Sequence, residues 1–365
     1  MGQGTRRLGL IAAASALLAA CAVPPRTPPV DPDAVRARIR ALMPATAQGN
    51  EGWAIDTYAA FESLGLPATP ENLCGVLAVI DQETNFQVDP EVPGLAAIAR
   101  REIDARAASR GIPKFMVSAA LSLRSPDGRS YGERLEQART ERDLSELFED
   151  FVRGVPLGER LFGDMNPVRT GGPMQVSIAF AERHARERTY PYPMNGTVRA
   201  EVFTRRGGLY FGIAHLLDYA APYDTMVYRF ADFNAGRFAS RNAAFQNAVN
   251  VVSGKRLVLD GDLLIEGSDA PSATELAIRS IGGLDASDEQ VRRALERGRT
   301  PEFEDTPLYA RILALADAVP PGRPVPRAMI PRITLKSPKI TRNLTTEWFA
   351  RRVEGRYTRC LARAR

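Results

Sequence analysis

One carboxylate in the sequence lies where burial could tune its acidity. A helix is predicted after Thr69, which suits an N-cap, and Pro70, which suits the first helical position. Apolar residues then recur at helical spacing from Leu73 to Ile80, and Glu83 follows at the edge of that apolar face. A carboxyl group partly removed from water has a raised pKa, so Glu83 could be protonated near neutral pH and act as a general acid.

The sequence contains no pattern typical of a metal site or of a phosphate-binding cofactor site. His184 and His215 are the only histidines, and the cysteines lie far from both along the chain, so no metal-ligand spacing is present. There is no Gly-rich phosphate-binding loop. We therefore predict neither a metal nor a cofactor, and we expect both histidines to be structural.

Three separated segments carry the remaining candidate site residues. They are residues 81–90 (DQETNFQVDP), 172–177 (GPMQVS) and 230–236 (FADFNAG). In this order they resemble the motifs of the soluble-lytic-transglycosylase type of lysozyme-like enzyme, which has Glu followed by Ser or Thr and then Phe, Gly-Leu-Met-Gln, and Ala-Tyr-Asn-Ala-Gly. The resemblance covers roughly residues 51–250. The whole chain also resembles an uncharacterised family of proteobacterial lipoproteins.

This resemblance implies cleavage of the MurNAc–GlcNAc bond of peptidoglycan, with a 1,6-anhydro sugar as the product. Glu83 would be the single catalytic acid and base. Thr84, Met174 and Gln175 would line the sugar cleft, and Asn234 would lie near the catalytic carboxyl group. The expected partner is the glycan strand of peptidoglycan.

Two other functions stay open at this point. Phe233 stands where the family has a tyrosine that hydrogen-bonds the glutamate, unless Tyr223 or Tyr228 replaces it. The phenol of the family tyrosine is then missing, which favours a catalytically inactive lysozyme-like module that binds peptidoglycan or a protein partner. A hydrolytic muramidase would instead use Asp89 or Asp232 as a second carboxylate.

The N-terminus predicts export and lipidation. Residues 1–20 combine Arg6 and Arg7 with a short apolar run, too short to span a bilayer, that ends in Leu-Ala-Ala before Cys21. This resembles the lipobox of bacterial lipoproteins, so we expect lipid on Cys21 and a periplasm-facing position on the outer membrane. The alternative is an ordinary signal peptide with a chance cysteine. Residues 21–33 form a Pro-rich tether.

Charge and cysteine content constrain the partners and the compartment. Lys and Arg number 48 against 43 acids, and removal of Arg6 and Arg7 leaves a net charge of +3 with no basic block, so nucleic acid is not an expected partner. After lipidation of Cys21, Cys74 and Cys360 remain. An oxidising periplasm would allow them to form a disulfide; two separate buried thiols are the alternative.

The hydrophobic pattern is helical almost throughout, and it predicts an all-α fold. We expect a lysozyme-like helical domain over residues 34–250, an inserted helical region at about 95–165, and a mainly helical C-terminal extension over 251–365. Within the extension, Asp260-Gly261 suggests one short hairpin. A helix is also expected from Met174 to Arg188.

Overall fold

The structure is a computed structural model that describes residues 31–155, 160, 166–319, 324–335 and 342–364. These residues are mainly helical and include two short two-stranded sheets, which confirms the all-α class. Among the described helices, none combines the length and hydropathy that crossing a bilayer requires. The predicted signal peptide, Cys21 and the tether up to residue 30 lie outside the described residues.

Seven helices precede the first hairpin in the described part of the chain. They are α1 (Pro32–Leu42), α2 (Asn50–Leu64), α3 (Pro70–Glu83), α4 (Leu95–Ser109), α5 (Lys114–Leu121), α6 (Tyr131–Gln137) and α7 (Glu141–Gly154). The antiparallel hairpin of β1 (Thr170–Gly171) and β2 (Val176–Ser177) follows, with Gly171 opposite Val176.

The rest of the described chain is again helical. It contains α8 (Ile178–Glu187), α9 (Val198–Val202), α10 (Arg205–Leu217), α11 (Met226–Ala235), α12 (Ala239–Ser253), α13 (Ala273–Arg279), α14 (Asp288–Glu296), α15 (Pro307–Ala318) and α16 (Thr346–Arg363). Two 3-10 turns, Arg297–Arg299 and Pro301–Phe303, precede α15, and strands β3 (Thr334–Leu335) and β4 (Leu344–Thr345) pair before α16.

Helix α3 is the central helix of the fold and ends at the candidate acid. Thr69 caps its first turn by accepting a hydrogen bond from the backbone N–H of Asn72 at 3.2 Å, as the sequence predicts. Every residue from Leu73 to Ile80 is buried, so the helix is covered on all sides and not along one apolar face alone. Asp81, Gln82 and Glu83 are partly exposed, so this buried helix reaches solvent in its last turn, which ends at Glu83.

The apolar side chains form two cores. The first core joins α1–α3, α8–α11 and α16 with part of the 95–155 region, and the second joins α12–α15. Helix α16 lies in the first core although it comes last in the chain. The division between the two cores therefore differs from the predicted boundary at residue 250. Helix α12 packs with the later helices, and α16 packs with α3.

Helix α16 runs antiparallel to α3 and is covalently attached to it. Cys74 and Cys360 form a disulfide, and the Arg356 guanidinium forms an ion pair with the Asp81 carboxylate at 3.1 Å. The extension predicted after residue 250 therefore supplies a helix that supports the one carrying Glu83.

Residues 95–155 form four helices, α4–α7, within the region that the sequence predicts to be helical. The helices are interrupted near Gly111-Ile112-Pro113 and around Ser125–Gly128. Capping boxes start α6 at Ser130 and α7 at Thr140, and each satisfies two backbone N–H groups that a helix start leaves free.

Two local predictions were wrong. The helix expected from Met174 begins at Ile178, because residues 172–175 form the turn between β1 and β2 and Ser177 supplies the cap. No strand pair forms at Asp260-Gly261 among the described residues. Instead Gln246 binds both: its amide N–H donates to the Asp260 carboxylate and its amide oxygen accepts from the Gly261 N–H, each at 2.9 Å.

Candidate functional site

Glu83 is the last residue of α3 and is only partly exposed. Within the described residues its carboxyl group has no hydrogen-bond donor and no cationic partner. Loss of hydration is the one cause that acts on it, and this raises its pKa to about 8. Because a buried carboxylate without compensating charge favours its neutral form, Glu83 carries a proton at neutral pH.

Thr84 joins the first motif to the second. Its hydroxyl lies 2.9 Å from the backbone oxygen of Pro173 and 3.2 Å from that of Ile80, and it donates to them. The side chain is buried, so the structure does not leave it free to contact a sugar as predicted. Thr84 instead holds the end of α3 against the 172–175 turn.

Strained backbone is concentrated at these two motifs. Asn85, Phe86 and Gln175 all have positive φ, at 50°, 59° and 51°. Such values are uncommon for non-glycine residues and are outliers for a bulky one such as Phe86. The Phe86 ring is held edge-on against Trp53, with centroids 5.5 Å apart. Strain of this kind persists where the surroundings enforce it, and it clusters at functional sites.

Met174 is fully buried, so the structure does not place it where it could touch a sugar. It packs against Gly212 of α10, where an added Cβ atom would lie 2.5 Å from the Met174 Sδ atom. In the same turn Gly172 has a φ of 69°, and a Cβ there would collide with the backbone oxygen of Val202. Met174 therefore anchors the 172–175 turn in the core instead of lining a cleft.

Gln175 is the residue of this turn whose side chain remains at the surface. It is half-buried. Its amide oxygen accepts from the Thr170 hydroxyl at 3.2 Å and its amide nitrogen donates to the Gly172 carbonyl at 3.4 Å. Both contacts lie within the β1–β2 hairpin, so they preorganise an amide beside the end of α3.

Asn234 lies at the C-terminal end of α11 and is exposed. Its side-chain oxygen accepts from the Thr346 hydroxyl at 2.9 Å, and Phe230 packs on Tyr357 with ring centroids 5.6 Å apart. These contacts show that α11 is antiparallel to α16. Helix α3 is also antiparallel to α16, so α3 and α11 run in the same direction. Glu83 and Asn234 thus end neighbouring helices at the same side, without a direct hydrogen bond between them.

Phe233 lies in an aromatic cluster. Its ring packs on His215 with centroids 5.1 Å apart, and Phe180 covers the same histidine at 4.6 Å. Burial lowers the pKa of His215 to about 3, and burial lowers the pKa of His184 in the same cluster. Both histidines are neutral packing groups.

Tyr223 does not replace the missing family tyrosine. Its hydroxyl donates to the Asp232 carboxylate at 2.7 Å. The same carboxylate accepts from the Tyr219 hydroxyl and from the backbone N–H groups of Phe238 and Ser240. Burial raises the pKa of Asp232 to about 6. With four donors on it, Asp232 ties α11 to the start of α12.

Tyr228, the other candidate replacement, packs against Tyr223 at 5.6 Å and lines a cavity of about 710 Å³ between α11, α16 and the 326–334 segment. Glu83, Gln175 and Asn234 do not line that cavity. The cavity is therefore separate from the candidate site.

Sequence reasoning missed the groups that seat the 172–175 turn. Gly208 and Gly212 lie one helical turn apart on α10, and each takes a residue of this turn, Pro173 or Met174, directly against its backbone. Their spacing of four in an otherwise apolar helix was the available signal. Thr346, which holds Asn234, carries no local signal because it lies 112 residues away along the chain.

A substitution at Gly212 tests how the 172–175 turn packs against α10. Gly212→Ala should lower the free energy of unfolding by about 1–3 kcal/mol, because the new methyl group overlaps Met174. Gly355→Ala on α16 is the matched control: its methyl group meets only Arg359, at 3.8 Å, so better helix propensity should raise stability by about 0.5–1 kcal/mol. Denaturant unfolding measures both, and a stabilised Gly212→Ala variant would contradict the described packing.

The geometry defines an all-α protein in which Glu83, without a partner among the described residues, ends a buried helix beside a strained hairpin turn. The chain belongs to the family described as "Protein of unknown function (DUF1615)", whose model matches residues 46–363. It is similar to "Uncharacterized protein YaiW" of Escherichia coli (strain K12), with 56% identity over 324 residues and 88% coverage of each chain. No solved structure matches the chain.

Proposed function

We propose that this protein is a peptidoglycan lytic transglycosylase in which Glu83 is the catalytic acid and base. The observation that carries the proposal is the Glu83 carboxyl group: it is partly exposed, has no partner among the described residues, and has its pKa raised to about 8 by loss of hydration. A general acid for glycoside cleavage needs this combination of accessibility and retained proton.

In the proposed reaction, protonated Glu83 donates its proton to the oxygen that joins MurNAc to GlcNAc. The bond from that oxygen to C1 of MurNAc breaks, and the sugar's own N-acetyl oxygen stabilises C1. The Glu83 carboxylate then removes the proton of the MurNAc 6-hydroxyl, whose oxygen bonds to C1. The product is a 1,6-anhydro sugar, Glu83 regains its proton, and no water is added.

The other carboxylates near the motifs favour this single-carboxylate chemistry over hydrolysis. Asp232 is buried and already accepts four hydrogen bonds. Asp89 accepts a hydrogen bond from the Thr140 side chain, which is the N-cap of α7. Because each carboxylate has a structural partner, Glu83 is the one available to act on a substrate.

The proposal places the protein on the outer membrane, facing the periplasm and held by lipid on Cys21. The disulfide between Cys74 and Cys360 supports export, since such bonds form and persist in oxidising compartments. Its substrate there would be the glycan strand of the cell wall.

One observation favours a second function. Within the described part of the chain no tyrosine hydroxyl donates to Glu83, and Phe233, which stands at the position of the family tyrosine, packs on His215. A lysozyme-like site that has lost this donor could retain glycan or partner binding without cleavage. The second candidate is therefore an inactive binding module built on the same residues.

Digestion of purified sacculi by residues 22–365 tests the two functions together. Mass spectrometry of the soluble products should find anhydro-muropeptides, each one water lighter than a hydrolytic product. Reducing-end muropeptides would replace the proposal with a muramidase. Absence of any product, with the protein sedimenting together with the sacculi, would overturn cleavage and support the binding module.

A further inference from the structure

Helix α5 and the turn after it present apolar side chains to solvent. Phe115 is 73% exposed, Met116 52% and Leu123 50%. Of the eight residues of α5, only Val117 is buried. Soluble proteins rarely group large exposed apolar side chains without a function for the surface. Packing within the described residues does not account for this composition.

The same stretch is strongly cationic. Residues 100–125 contain six Arg or Lys residues and two acids, whereas the whole chain has a formal net charge of only +5. Arg110, Lys114 and Arg124 are exposed. In the described part of the chain no ion pair joins Arg110 or Lys114 to a carboxylate, whereas the Arg124 guanidinium donates to the Gly128 carbonyl at 2.7 Å and its charge acts on the nearby Glu133 carboxylate. The apolar side chains are therefore flanked by two cations, Arg110 and Lys114, that are free to meet an anionic surface.

A cavity of about 260 Å³ with almost wholly apolar walls lies beneath α5, between it and helices α4 and α7. Met116 is exposed on the outside and also lines this cavity. The apolar surface of α5 thus continues inward.

We infer that this α5 face, formed by Phe115, Met116 and Leu123 with Arg110, Lys114 and Arg124, docks on an anionic lipid surface. Apolar side chains that enter the acyl boundary, combined with cations at headgroup level, are the composition of interfacial helices. A symmetric contact with a second copy would bring like charges of this face against one another, which is unfavourable. The inference is independent of Glu83 and its chemistry.

Vesicle sedimentation with residues 22–365 tests the α5 face. This chain includes every described residue and lacks the lipid. It should bind vesicles of phosphatidylethanolamine and phosphatidylglycerol, bind phosphatidylcholine vesicles much more weakly, and lose affinity as salt rises. The double variant Phe115→Ser/Met116→Ser should lower the partition coefficient by about tenfold or more. Lys114→Glu should weaken binding to the anionic vesicles alone.

Matched controls separate docking from misfolding and self-association. Val258 and Ile265, exposed by 63% and 49%, lie outside the α5 face, and Val258→Ser/Ile265→Ser should bind like the wild type. Circular dichroism should be unchanged in every variant. Equal binding by the Phe115/Met116 variant, or no preference for anionic lipid, would overturn the inference. So would a dimer in gel filtration that this variant abolishes, because the face would then bind a second copy.

Discussion

Glu83→Gln should lower the rate of anhydro-muropeptide release by about a thousandfold or more. Glutamine preserves the size of the side chain but can neither deliver nor accept the proton, and general acid–base catalysis contributes about 10²–10⁴-fold. The rate is measured by mass spectrometry of sacculi incubated with the variant and with the wild type at pH 7.

Glu71→Gln is the matched control for this loss. Glu71 lies in the first turn of the same helix and is exposed, so the same substitution there should leave the rate within about twofold. Retained cleavage by Glu83→Gln would remove Glu83 from the mechanism.

Glu83→Gln should also raise the free energy of unfolding at high pH. The folded protein keeps the Glu83 proton up to about pH 8, whereas the unfolded chain loses it above about 4.5. The free energy of unfolding of the wild type therefore falls as pH rises between these values. That of Glu83→Gln does not, because glutamine has no proton to lose. Because Glu83 is partly exposed, we expect a gain of about 1–3 kcal/mol at pH 9 and almost none at pH 4. A variant that is unstable at both values would show that its inactivity reflects misfolding.

Removing the disulfide should give the largest stability loss. The bond joins residues 286 positions apart, so it closes a very long loop and restricts the unfolded chain strongly. Cys74→Ala/Cys360→Ala should lower the free energy of unfolding by about 3–5 kcal/mol in denaturant titrations. Helix α16 should then separate from α3 at lower denaturant concentrations.

Chemical reduction of the wild type supplies the control. Reduced wild-type protein should lose nearly as much stability as the double variant, and the reducing agent should leave the double variant unchanged. An unfolding midpoint that responds to neither treatment would contradict a closed bond between α3 and α16.

The sequence was most informative where the signal is local. The cap at Thr69, the apolar run that follows and Glu83 at its end predicted α3 and the position of Glu83 at its C-terminal end. Helical periodicity likewise predicted the all-α class. These features depend on residues within a few turns of one another, and short-range propensity and patterning describe them well.

The assignments that changed depend on distant residues. Thr84 lies in the same motif as Glu83 and Met174 lies in the second motif, but Met174 packs against Gly212 and Thr84 binds the backbone oxygen of Pro173. The place of α16 beside α3 could not be read from its own amphipathic pattern, which shows that a face is buried without showing against what. Spacing along the chain identifies candidate residues, and tertiary packing decides which of them solvent can reach.

The pKa of the Glu83 carboxyl group is the quantity on which the proposed chemistry depends. It can be measured by titrating protein carrying ¹³C-labelled glutamate carboxyl groups, with Glu83→Gln used to identify the resonance. A midpoint near pH 8 is predicted. A midpoint near 4.5 would mean that water or an unrecognised partner stabilises the carboxylate, and that Glu83 is ionised at neutral pH and unable to act as the acid.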